Sequence, residues 1–304
     1  VNLGSPPRHC LSLNDRFCEA PDGTRIAYAV EGEGPAFVLT NGLTTTTTFW
    51  DYLRPRWLRR HRVVTWDLPG HGNSEPARTA RGARIESMPA IVERVMAAAE
   101  VERATQIGWS TGCQIVFELY RRRPERCSAL VALLGPAGRV LSTANLPLAR
   151  DTLYGLLRFT PEALFAPVFR AMMASADADR AVAVGKRARL IGRDTTHADA
   201  RRFLAHLRSV DPTTVQRMAA SAEEHSAHDV LPHIRVPVLV VAGDRDPYAP
   251  SERVGIPLSE AIPGSELLRL PRGTHTALLD HADAIGERVE AFAEHRGRRV
   301  AVAE

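Results

Sequence analysis

A serine framed by glycines, Gly108-Trp109-Ser110-Thr111-Gly112, stands where an apolar run ends and a helical pattern begins. In the Gly-x-Ser-x-Gly arrangement the serine sits in a sharp, strained strand-to-helix turn with its hydroxyl exposed, and the glycines let the two backbones close on each other. A serine hydroxyl is a weak nucleophile near neutral pH. It needs a base that ionises close to that pH, which histidine supplies, and the histidine needs a carboxylate to hold its tautomer and orientation. Both follow in the order Ser, Asp, His: "VPVLVVAGDRDPYAP" carries Asp244 and Asp246 just past one apolar run, and "LLRLPRGTHTALLD" carries His275 just past the next. The chemistry so assembled is attack on a carbonyl, with the oxyanion met by backbone N–H donors worth roughly 3 to 4 kcal/mol each. One donor is expected from Thr111, directly after the serine.

These residues need a scaffold that brings distant segments to one edge. Short apolar runs bounded by turn residues alternate with longer helical patterns: "TRIAYAVEGEG", "AFVLTNG", "RVVTWDLPGHG", "ATQIGWS", "CSALVALLG", "VPVLVVAG" and "SELLRLP" read as strands, the first of them antiparallel. That alternation predicts an α/β fold with a mostly parallel, doubly wound sheet, whose ligands bind beyond the carboxyl ends of the strands. Between the strand ending near Gly135 and the one beginning at Val236, about a hundred residues of helical pattern intervene, against a usual connection of ~4 to 6. This interval predicts an inserted helical cap. Within it Leu146, Leu153, Leu156, Leu157, Phe165, Phe169, Met172 and Met173 recur at helical spacing, most of them as cap core and some facing an apolar pocket below.

With "NG" after an early strand, "WDLPGHGNS" after the next, then "GWSTG", "GDRDPYAP" and "GTHTALLDHADAI" in that order, the chain resembles the α/β-hydrolase family from about Pro21 to Gly297. The resemblance implies that Ser110 is the nucleophile, His275 the general base and then acid, and Asp246 the carboxylate behind it, with Asp244 the rival that shapes the loop. The family's loop after the early strand commonly reads His-Gly-x, with the N–H of x in the oxyanion hole. Here it reads Asn41-Gly42-Leu43, which makes Leu43 the second donor and leaves asparagine where a histidine normally buttresses the loop. The family's alternative acid position, after "CSALVALLGPAG", holds no carboxylate. In "DLPGHGNS" the family pattern makes Asp67, Gly70 and Gly72 a turn, with His71 at its tip a packed or surface residue. His281, within the following helical pattern, is expected to be structural.

The substrate pocket is expected to involve Asn41, Thr44, Thr45, Trp109, Leu153, Leu157 and Phe165, with Thr47 or Thr48 capping the helical pattern that follows the threonine run. Serine at the nucleophile position disfavours the haloalkane dehalogenase and epoxide hydrolase branches, which use aspartate there. Hydrolysis of an ester with an apolar acyl or alkyl group is the leading expectation. Carbon–carbon hydrolysis, lactone opening, thioester hydrolysis, acyl transfer and a receptor-like relative with little turnover remain open, because fold and triad do not fix substrate.

The expected partner is a small-molecule substrate, with a nucleic-acid-binding role the poorer option. A formal charge of +4 in 304 residues, with 44% hydrophobic residues and Lys186 the only lysine, is no general polyanion signal. The basic stretches "RPRWLRRHR" and "RRRPERC" lack interleaved aromatics and read as solvated helix ends, not a nucleic-acid surface. His225 and His228, with Asp229 beside them, have one-turn spacing but no further ligand cluster, so no metal is expected, and no cofactor. Four cysteines fit a reducing compartment; Cys10 and Cys18 lie close enough to pair in an exported protein, but the N-terminal stretch lacks a charged head followed by an apolar core. The expectation is a cytoplasmic protein without membrane insertion, since no apolar run reaches ~18 residues. Its divisions are an N-terminal extension (1–21), a core (22–138 and 228–297), a cap (139–227) and a tail (298–304).

Overall fold

The computed structural model describes residues 12–144, 150–187 and 191–300. Cys10 and Leu146 lie outside them, as does the side chain of Leu153 on the helix Arg150–Phe159. The strands are β1 (Arg16–Glu19), β2 (Arg25–Glu31), β3 (Ala36–Thr40), β4 (Arg62–Trp66), β5 (Ala104–Trp109), β6 (Cys127–Leu133), β7 (Val238–Gly243) and β8 (Glu266–Leu270). They form one sheet in the order β1-β2-β4-β3-β5-β6-β7-β8. Only β1–β2 and β2–β4 pair antiparallel; every pairing from β4 through β8 is parallel.

The sequences of the inner strands explain their place. ATQIGW of β5 and VLVVAG of β7 are buried along their whole length, as strands covered by helices on both faces must be. One face packs the helices Met88–Ala98 and Thr111–Arg122 over Val38, Val64, Leu130 and Val240. The other packs Trp50, Trp57, Ile285 and Phe292 over Phe37, Leu39, Val131 and Leu239. Four tryptophans, Trp50, Trp57, Trp66 and Trp109, are among the largest fully buried side chains. Between β6 and β7 the chain makes the inserted helices Arg150–Phe159, Glu162–Ser175, Ala178–Arg187, His197–Ser209 and Pro212–Glu224. No helix among the described residues is long and apolar enough to cross a membrane.

Two boundaries differ from the sequence reading. The segment assigned to an N-terminal extension contributes β1, an edge strand too short and too charged to show alternation, with Arg16 and Glu19 exposed as suits a sheet edge. It is tied down by Asn14, fully buried, whose Oδ1 accepts from the Thr65 hydroxyl at 2.6 Å and whose carbonyl accepts from Asn73 Nδ2 at 2.8 Å. At the other end the final helix, Ala282–Val300, continues past residue 297. Of the cap residues expected in its core or over the pocket, Leu156 and Met172 are more than half exposed.

The tightest apposition in the sheet lies at its centre. A Cβ placed on Gly112 would stand 2.4 Å from the Thr40 carbonyl oxygen, so the helix Thr111–Arg122 can begin against β3 only with glycine there. Replacing it must push backbone against backbone. Gly112→Ala is expected to cost about 1 to 3 kcal/mol, seen as a lower urea midpoint at unchanged m-value; an unshifted midpoint would contradict this packing.

Candidate active site

Ser110 follows β5 directly and carries φ 55°, ψ −122°, a conformation that L side chains rarely adopt. Its N–H donates to the Leu133 carbonyl at 2.9 Å and its carbonyl accepts from Cys113 N–H at 2.9 Å, so sheet and helix grip the strained residue from both sides. Ser110 Oγ lies 2.9 Å from His275 Nε2, and His275 Nδ1 lies 2.8 Å from Asp246 Oδ2. A carboxylate oxygen only accepts, so Nδ1 carries the imidazole proton and Nε2 accepts from the serine hydroxyl. Three residues from the ends of β5, β7 and β8 thus form one hydrogen-bonded chain.

The carboxylate is held by its own loop. Asp246 is buried, and its Oδ1 accepts from the Tyr248 and Ala249 N–H groups at 2.8 and 3.0 Å, which leaves Oδ2 to the histidine. Asp244 points away, its Oδ1 taking Arg269 Nη2 at 3.1 Å at the surface. Two aromatic rings flank the imidazole: Tyr248 edge-on at 4.9 Å and Trp109 at 5.7 Å, with Trp109 Nε1 donating to the His275 carbonyl at 3.2 Å. Burial, then the Asp246 charge, raises the Tyr248 phenol above its ordinary range, so it stays neutral beside the carboxylate. The peptide after His275 is latched to the cap. Thr276 Oγ1 accepts from Gly192 N–H at 2.9 Å, and Asp280 takes the hydroxyls of Thr276 and Thr195 at 3.1 and 3.0 Å.

The loop after β3 faces the serine. A Cβ on Gly42 would lie 3.0 Å from Ser110 Cβ, so this loop approaches the elbow as closely as backbone allows. Among the described residues, neither the Leu43 nor the Thr111 amide donates to a protein acceptor. Thr111 is the first residue of its helix, where the N–H has no partner within the helix.

Several expected pocket residues have other work. Asn41 is fully buried and spent internally: Nδ2 donates to the Trp66 carbonyl at 3.1 Å, and Oδ1 accepts from Trp50 Nε1 at 2.6 Å. It braces the loop where substrate contact was expected. Thr44 and Thr45 donate their hydroxyl protons to the Leu43 and Gly42 carbonyls at 2.6 and 2.7 Å. Thr47 is no cap either, because the N-cap of the short helix Thr47–Trp50 is Thr46, and the Thr47 hydroxyl accepts from Leu13 N–H at 3.3 Å. Trp109 is buried beneath the His275 loop and offers no open face. Leu157 lines a groove of about 340 Å³ with Arg81, Arg84, Gln216 and Arg217, a groove to which Ser110 and His275 contribute nothing. Phe165 stacks on Phe169 within one cap helix at 5.8 Å.

Of the other histidines, His225 is buried against Glu118, Nε2 to Oε2 at 3.1 Å, His228 Nδ1 meets Ser226 Oγ at 3.0 Å, and His281 ends the short helix Ala277–Asp280. Sequence reading passed over three residues at the site. Tyr248 was signalled by lying two positions past Asp246. Phe49, whose ring is 4.5 Å from Trp109, meets the cap edge-on through Phe203 at 5.5 Å. His206, on the cap helix His197–Ser209, is completely buried with its ring 5.9 Å from that of His71 and the Thr45 backbone beside it. A histidine on a helix's buried face was the available signal.

The family model described as alpha/beta hydrolase fold matches residues 35–282, and the chain belongs to that family; it is an enzyme of the hydrolase class. Over 278 residues it is 29% identical to the pimeloyl-[acyl-carrier protein] methyl ester esterase of Neisseria meningitidis (serogroup C), with 90% of this chain and 95% of that protein covered. Among solved structures it is similar to the esterase EaEST of Exiguobacterium antarcticum (TM-score 0.73, 20% identity, 91% of this chain and 98% of that one). It is likewise similar to the enol-lactonase of Burkholderia xenovorans LB400 (TM-score 0.71, 22% identity, 92% and 100%). At such identities the two structural likenesses are likenesses of fold.

His206 also makes the stability of this region depend on pH. Burial, then the neighbouring His71, holds its pKa down to about 3, whereas an unfolded histidine titrates near ~6.5. Between those values the unfolded chain binds more protons, so the native state loses stability as pH falls, by about 1.4 kcal/mol per unit. His206→Met is therefore expected to gain about 2 kcal/mol on wild type between pH 7 and pH 5 in urea denaturation. A gap independent of pH would refute it.

Proposed function

We propose that this protein is a serine esterase that cleaves carboxylic esters with an apolar acyl or alkyl group through an acyl-enzyme. The observation that carries the reading is the continuous chain from Ser110 Oγ to His275 (2.9 Å) and from His275 to Asp246 (2.8 Å) at the carboxyl ends of the strands. His275 Nε2 takes the serine proton as Ser110 Oγ attacks the ester carbonyl, and Asp246 stabilises the imidazolium through Nδ1. The Leu43 and Thr111 amides receive the oxyanion. Collapse expels the alcohol, which takes the proton from Nε2, and leaves the acyl group on Ser110. Water activated by the same nitrogen then releases the acid and restores the serine.

The name of the neisserial relative, a methyl ester esterase acting on a carrier-bound chain, supports a small alcohol as leaving group and an extended chain on the acyl side. A panel of methyl and longer alkyl esters, thioesters, lactones and diketones tests the reaction class. Ester turnover that survives Ser110→Ala, or a folded protein that a fluorophosphonate fails to label at Ser110, would sink the assignment. Asp246→Asn is expected to lower kcat by about 10⁴-fold through the wrong tautomer. Asp244→Asn, which loses only a surface ion pair, should leave kcat within about twofold.

A further inference from the structure

The loop that carries Leu43 is held at its most strained point by a residue from another strand end. Thr44 has φ 63°, and for a β-branched residue this left-handed conformation costs of order 1 to 3 kcal/mol unless its surroundings enforce it. Two contacts enforce it. The Thr44 hydroxyl donates to the Leu43 carbonyl at 2.6 Å, and the Thr44 N–H donates to His71 Nε2 at 3.0 Å. The Leu43–Thr44 peptide is a rigid plane, so fixing its carbonyl at one end and its N–H at the other fixes the whole unit. The Leu43 N–H is then separated from that anchored plane by a single residue's dihedral pair.

We infer that His71 is a positioning residue for the oxyanion hole: by accepting the Thr44 N–H it sets the direction of the Leu43 amide in the transition state. This rests on the acyl-enzyme reading above. His71 Nδ1 lies 2.8 Å from the Pro69 carbonyl, an acceptor only, so Nδ1 bears the proton and Nε2 is left as the acceptor that Thr44 requires. The ring is buried, with His206 packed from the cap helix and the charge of Asp211, the N-cap of the helix Pro212–Glu224, acting on it. Burial pushes its pKa down to about 4, so the ring is neutral and Nε2 stays unprotonated at neutral pH. The turn that presents it is fixed in turn: Asp67 Oδ2 accepts from Asn73 N–H at 3.0 Å, Gly70 N–H donates to the Glu75 carbonyl at 2.8 Å, and the Gly70 carbonyl accepts from Asp211 N–H at 2.9 Å.

Two near-isosteric substitutions separate the two ring nitrogens. His71→Gln places Oε1 near the position of Nε2 and keeps an acceptor for Thr44; His71→Asn keeps a donor near Nδ1 for Pro69 and loses that acceptor. Wild type, both variants and His71→Leu are compared for kcat and KM on the best ester of the panel, for the rate of fluorophosphonate labelling of Ser110, and for urea stability. The expected result is a kcat and labelling rate about 10- to 100-fold lower for the Asn and Leu variants at nearly constant KM, with Gln restoring most of the loss. If the Asn variant keeps kcat and labelling within about twofold of wild type, or if Gln and Asn lose activity alike in proportion to lost stability, His71 is only a packing residue and the inference falls. The labelling rate keeps the two readings apart. A wild type that labels but hydrolyses no ester overturns the esterase reading while still ranking the His71 variants, and a folded wild type that fails to label overturns both.

Discussion

The whole site depends on one backbone conformation, the φ 55°, ψ −122° of Ser110. A serine so placed is strained, and the strain persists only because its surroundings over-determine it. The sheet holds its N–H through Leu133, the helix holds its carbonyl through Cys113, and β3 crosses so close that only glycine fits at residue 112. The same closeness brings Gly42 to Ser110, so the elbow and the loop that faces it are consequences of one packing constraint.

Around that constraint the buried polar groups are distributed with little redundancy. Asp246 divides its oxygens between its own loop and His275, and Asn41 divides its amide between β4 and Trp50. The threonine run supplies hydroxyls that close the loop on its own carbonyls and one that receives the N-terminal segment. Each bond removes a way for the loop after β3 to relax. The cap also touches these elements: Gly192 N–H donates to the Thr276 hydroxyl, Thr195 donates to Asp280, and the His206 ring packs 5.9 Å from the ring that holds Thr44.

Much of this was legible in the chain, and the reason differs by feature. The fold class could be read because inner strands buried on both faces must be continuous apolar runs, and the intervening helical patterns leave parallel pairing as the solution. Ser110, Asp246 and His275 could be placed because each sits at a strand end beside turn residues, a purely local signal. β1 was invisible because a four-residue edge strand needs neither apolar alternation nor a turn dipeptide. At Trp109 and Leu157 apolar character says that a side chain is covered, not what covers it: one lies beneath the His275 loop and the other lines a groove among cap residues and arginines.

The sequence by itself determined which chemical groups exist and the order in which strand ends deliver them, since both are properties of local pattern and covalent connectivity. Only the tertiary structure decided how these groups pair. It is distance in space that sends Asp244 to Arg269 and Asp246 to His275, gives the amide of Asn41 to Trp50 and Trp66, and sets His71 beneath Thr44. Hydrogen bonds act over about 3 Å, a scale that residue order along the chain does not encode.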